Sequence, residues 1–256
     1  MLEQLISFPE DPNFVLPPTS DELIFDDGIP METYRHKLQM DLLVECLNAE
    51  LVLKQQRGFV GGNMFVYFSP NQVKNQDYRG PDVFAVVDVP VGERKGWVVW
   101  EEGKAPDVVI ELLSPSTAQQ DKTDKKLIYQ NQLRVSEYFW YDPFQPDDWA
   151  GFSLSHGVYQ PIPIDAQGCL RSRSLEFNLV RWEGRYMEVD AVWLRWATLE
   201  GMLLPTHREA AAQESQRAEQ ESQRAEQESQ RAEQERQRAD RLAERLRQLG
   251  EDPDLV

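Results

Sequence analysis

The chain has 256 residues, 41% of them hydrophobic and 10% aromatic, enough to bury one core of good size. Forty-four acids against twenty-seven bases leave a formal net charge of −17, which repels a polyanion at long range; a nucleic-acid partner therefore requires a local basic patch, bound cations or another subunit. Cys46 and Cys169, with no CxxC spacing or histidine cluster, indicate neither a disulfide framework nor a zinc site, and with no signal-type N-terminus or membrane-length apolar run the expected location is the cytoplasm.

Residues 1–30, rich in Pro, Asp and Glu, read as an extended lead-in. The stretch METYRHKLQMDLLVECLNAEL then sets Leu38, Leu42, Leu43 and Leu47 at helical spacing and predicts one amphipathic helix. Three short runs rich in β-branched and aromatic residues, 59–68, 82–89 and 107–113, predict neighbouring strands. Residues 119–133 predict a helix carrying Leu127, Ile128 and Leu133, and VSEYFWYDP predicts another strand, stopped by Pro143. Between Trp149 and Trp196, aromatic strands with turns at SHG, AQG and WEGR predict hairpins, whose tryptophans read as packing residues. From His207 onward the heptad AEQESQR repeats. Ala218, Ala225, Ala232 and Ala239 hold one seam position, but Glu221, Glu228 and Glu235 hold the other until Leu242. A single exposed helix and a weak oligomerising coil both fit this pattern. The expected organisation is a lead-in (1–30), one domain (31–207) and a charged helical tail (208–256), with an α/β mixed sheet flanked by helices and extended by hairpins.

Two acids in these apolar runs carry the chemistry. Asp82 opens GPDVFAVVDV and Glu111 lies inside PDVVIELLSPST. An ionised carboxylate in an interior is costly unless a cation or several donors meet it. Asp107 and Glu111 share a strand face but stand about 13 Å apart along it, too far to chelate one ion. If the strands of Asp82 and Glu111 are neighbours, those two carboxylates converge. In DKTDKKLIYQ, Asp121, Lys125 and Tyr129 follow at spacings of four and form one helix stripe. A helix packed back on the sheet then aims Lys125 at the pair. Two acids and a lysine suit metal-assisted phosphodiester cleavage. Mg²⁺ or Mn²⁺ takes hard oxygen ligands and acidifies a bound water, while an ammonium offsets developing charge.

RGPDVFAVVDV, PDVVIELLSPST, DKTDKKLIY and VSEYFWYDP, in this order, resemble the putative restriction endonuclease family of the PD-(D/E)xK nuclease superfamily, over roughly residues 30 to 200. The resemblance implies a restriction-endonuclease-like core, with Asp82 as the Asp of the Pro-Asp motif and Glu111 as the acid of the following strand. Where the superfamily lysine usually stands, two residues after the glutamate, this chain has Leu113; the resemblance implies that the lysine has moved to the helix as Lys125.

Each residue also has a plain structural role open to it. Asp82 suits a strand start, Glu111 a salt bridge with Lys125, Asp121 a helix N-terminus and Tyr129 packing. His36, on the first helix, is either a further site residue or an ordinary core or surface histidine. Two function classes follow. One is a divalent-metal-dependent DNA endonuclease. The other is a non-catalytic protein that keeps the nuclease fold and assembles through the fold or its tail. Clustering of Arg79, Lys95, Lys104 and Lys122 on one face favours the first, and scattering favours the second.

Overall fold

The computed structural model describes residues 17–25, 33–54, 57–69 and 78–248. They belong to two compact units, divided between Leu204 and Pro205.

In the first unit, Thr33 caps the helix Tyr34–Leu53 by accepting from the His36 amide, satisfying one of the otherwise orphaned first-turn donors. Its apolar stripe is spent on the core, with Leu38, Leu42, Leu43 and Leu47 all at most 4% exposed. The central sheet has six strands: β1 (Gly58–Gly62), β4 (Val83–Val87), β6 (Val108–Leu112), β7 (Glu137–Tyr141), β8 (Trp149–Ser155) and β9 (Val158–Ile162), paired in that order. Only β6 and β7 run parallel, and their crossover is the helical segment 118–133. A second sheet joins β10 (Cys169–Ser172), β11 (Phe177–Tyr186) and β12 (Val189–Ala197). A third, small sheet orders β3 (Tyr78–Arg79), β2 (Val66–Tyr67) and β5 (Trp97–Val98).

Alternation along the central strands divides the core in two. Val83, Ala85, Val108 and Ile110 pack with the first helix and with Leu179, Trp193 and Trp196 of the second sheet. Phe84, Val86 and Val109 pack on the other face with Tyr129, Leu133, Tyr138 and Trp97. The architecture is the expected mixed α/β sheet with flanking helices, added hairpins and a long helix near the C-terminus.

Two local expectations are corrected. The run 59–68 is two strands in different sheets, because the chain turns at Asn63 with φ at +48°. WEGR is not a turn: it lies within β11, and the hairpin closes at Met187–Glu188, both at positive φ. Gly184 serves a close approach instead, since a Cβ there would meet the Trp182 ring at 2.1 Å. Leu127, in the predicted helix, is 52% exposed. Of the lead-in, residues 17–25 fold back on the small sheet, where Trp100 donates to the Pro18 carbonyl at 2.9 Å and Tyr67 to that of Ile24; residues 1–16 and 26–32 lie outside the described residues.

In the second unit, Thr206 and Glu209 form a reciprocal cap: the Thr206 amide donates to the Glu209 carboxylate at 2.8 Å and the Glu209 amide to the Thr206 hydroxyl at 3.1 Å. The helix His207–Gln248 follows without a break. Leu242 is 65% exposed on it.

Candidate active site

The antiparallel register of β4 and β6 sets Val83 opposite Ile110, Phe84 opposite Val109 and Ala85 opposite Val108. Continued by one residue, it sets Asp82 opposite Glu111. The two therefore share a sheet face, close enough that each carboxyl bears on the proton affinity of the other. Asp82 is half-buried and also accepts from the Leu112 amide at 2.7 Å, while Glu111 is 1% exposed.

The helical segment 118–133 covers this face. It is continuous but alternates α turns with two π turns, Asp121–Lys125 and Tyr129–Leu133. Four residues overshoot one α turn by about 40°. A turn closed by i→i+5 hydrogen bonds takes up more residues, and so keeps a stripe at spacing four facing one way. As a result Lys125 and Tyr129 both reach Glu111, and Asp121 reaches Lys125. Lys125 Nζ lies 3.2 Å from Glu111 Oε2 and 2.7 Å from Asp121 Oδ1, and the Tyr129 hydroxyl donates to Glu111 Oε1 at 2.7 Å. Asp121 is itself 1% exposed.

Three carboxyls thus surround one ammonium, and the charge balance shows in their proton affinities. Burial pushes the Glu111 carboxyl up to about 8; Lys125 opposes the rise and Asp82 and Asp121 add to it. Asp82 is pushed up to about 6 by burial, against the pull of the Leu112 amide and Lys125. Burial disfavours the charge on Lys125, but Glu111, Asp121 and Asp82 outweigh it and hold the ammonium above its ordinary range. Tyr129 is held well above the usual phenol range by burial and by Glu111, so it stays a proton donor.

The donor set at Asp82 and Glu111 is hard oxygen, the kind that a Mg²⁺- or Mn²⁺-type ion takes. Among the described residues no group of three or more His, Cys, Asp or Glu side chains is arranged to hold a metal unaided. The site fits an ion held by two carboxylates that takes its remaining oxygens from water or substrate.

His36 is not brought to the carboxylates. Its ring is used at both nitrogens, Nδ1 with the Thr33 hydroxyl at 2.7 Å and Nε2 with the Leu113 carbonyl at 2.9 Å. Since a carbonyl can only accept, Nε2 carries the proton, and the ring latches the first helix to the end of β6. Asp107 is also structural, accepting from the Val87 amide at 2.9 Å and pairing with Lys104 at 2.8 Å. Sequence reasoning missed Tyr138, whose hydroxyl donates to the Asp121 carbonyl at 2.8 Å. Alternation in EYFWY, which sets Tyr138 and Trp140 on one face, was the available signal.

The chain matches the model of the Uma2 family, described as "Putative restriction endonuclease", over residues 8–191. No curated protein matches it. Among solved structures, a putative nuclease belonging to DUF820 from Anabaena variabilis ATCC 29413 is similar at 19% identity and a TM-score of 0.41, over 57% of this chain and 76% of that one.

Proposed function

From the premise that this chain belongs to the Uma2 putative restriction endonuclease family, which supports nuclease function in general, we propose that it is a divalent-metal-dependent DNA endonuclease with its site at Asp82, Glu111 and Lys125. The observation that carries the reading is the cross-strand pair of raised carboxyls with Lys125 gripped between Glu111 and Asp121. Asp82 and Glu111 would hold Mg²⁺ or Mn²⁺, which when bound supplies an acidified water and charge neutralisation at the phosphate. Lys125 keeps its proton throughout and offers an ammonium to a water or phosphate oxygen. Tyr129 fixes the orientation of Glu111, and Asp121 fixes that of Lys125. Leu113, in the usual lysine position, is fully buried in the core and leaves that role to the helix.

One observation favours the second reading, a nuclease-fold protein that acts by assembly. Lys95 pairs with Asp21, Lys104 with Asp107 and Lys122 with Asp148, so these three cations already have acidic partners within the chain. Among the described lysines, only Lys126 has no carboxylate partner; its ammonium sits 3.3 Å from the centre of the Phe152 ring. Incubation of plasmid DNA with Mg²⁺ or Mn²⁺ separates the two. The nuclease reading expects nicking by the wild type and none by Glu111→Ala; nicking that persists in the variant, or is absent from both, removes it.

A further inference from the structure

Lys125 is held by two carboxylates on different elements, Glu111 on β6 and Asp121 on the covering helix, and each arm is tied by a tyrosine. Tyr129 donates to the Glu111 side chain. Tyr138, fully buried on β7, donates instead to the main-chain carbonyl of Asp121, where the first π turn begins. The parallel register places Tyr138 beside Val109, two residues before Glu111 on the same face. The two tyrosine rings pack against each other at 5.3 Å between centroids, 32° from parallel.

Helices rarely adopt i→i+5 turns, and an inserted π turn can slide along the helix unless something fixes it. A hydroxyl donated from a central strand to the first residue of that turn is such a fixture. We infer that Tyr138 is a positioning residue: its hydroxyl pins the π turn at Asp121 and so keeps the Lys125 ammonium on Glu111. This rests on the proposed site, and it adds a residue that touches neither metal nor substrate.

Tyr159 provides the control. It too is a buried tyrosine, stacked on Tyr138 at 6.0 Å, and its hydroxyl donates to the Val135 carbonyl at 3.0 Å, just past the helix end. Tyr138→Phe and Tyr159→Phe each remove one buried hydroxyl, but only the first touches Asp121. Full-length protein labelled with ¹⁵N-lysine reports the Lys125 ammonium directly, through the rate at which its protons exchange with water at fixed pH. Tyr138→Phe should speed that exchange by about tenfold, the effect of one net hydrogen bond, while Tyr159→Phe leaves it at the wild-type rate. In plasmid cleavage, Tyr138→Phe should lower kcat by about tenfold or more with KM within about twofold. Unchanged Lys125 exchange in Tyr138→Phe, or equal acceleration in both variants, overturns the inference. If the wild type cleaves nothing, the nuclease reading fails, and the exchange comparison still decides the role of Tyr138.

Discussion

Glu111 and Glu137 are buried glutamates on adjacent parallel strands of one sheet, at 1% and 2% exposure. Burial raises both carboxyls, yet their company differs. Glu137 accepts from the Ser172 hydroxyl and from the Arg173 and Ser174 amides, so the donors that meet it are neutral and stitch β7 to the turn between β10 and β11. Glu111 meets a phenol and an ammonium but also faces Asp82 and Asp121. Neutral donors suffice to hold a carboxylate for architecture. Like charges gathered around one add cost without adding structure, and such a cluster is the kind that chemistry, rather than folding, calls for.

That contrast can be broken most sharply at Lys125. Lys125→Met leaves the buried Glu111 and Asp121 and the half-buried Asp82 without their cation and should cost about 3 kcal/mol of stability at pH 8, with cleavage falling by about a hundredfold or more. At pH 5, where Asp82 and Glu111 hold protons, the stability loss should shrink. Urea unfolding at both pH values checks this, and an equal loss at each would remove the charge interpretation.

Next in size is Glu137→Ala, which orphans three donors and should destabilise the first unit by about 2 kcal/mol while metal-dependent cleavage per folded molecule stays at the wild-type level. Lost cleavage at full folding would erase the distinction between the two glutamates.

A smaller effect appears in the pH dependence. Between the ordinary glutamate value of 4.5 and about 8, the folded protein keeps a proton on Glu111 that the unfolded chain has released. Stability therefore falls as pH rises through that window. Glu111→Gln carries no such proton, so its melting temperature should match or exceed that of the wild type at pH 8 and vary less from pH 5 to 8. Thermal melts that decline in parallel for both proteins would count against a raised Glu111.

The smallest expected change follows deletion of the tail. The helix His207–Gln248 carries exposed residues almost throughout and holds little large apolar surface. A chain ending at Thr206 should melt within about 2 °C of the full protein, the scale of a surface change. Sedimentation of the two forms tests whether the heptads join chains.

Periodicity and composition by themselves determined the elements and the candidate residues. Leucines at helical spacing marked the first helix, β-branched runs marked β4 and β6, the heptad marked the tail helix, and Asp82, Glu111 and Lys125 stood out as charges where apolar residues belong. These signals are local, and a carboxylate inside a strand costs the same wherever the strand goes. Pairing was decided by the tertiary structure alone: β5 leaves for another sheet, β4 and β6 become neighbours across it, and the register sets Asp82 against Glu111. Turns built on left-handed Met187 and Glu188, the split at Asn63 and the π turns beneath Asp121 and Tyr129 were invisible for the same reason. Apart from Asn63, whose side chain suits a left-handed turn, none follows from side-chain preference; each is a backbone state that is unfavourable locally and held by contacts from elements distant in sequence.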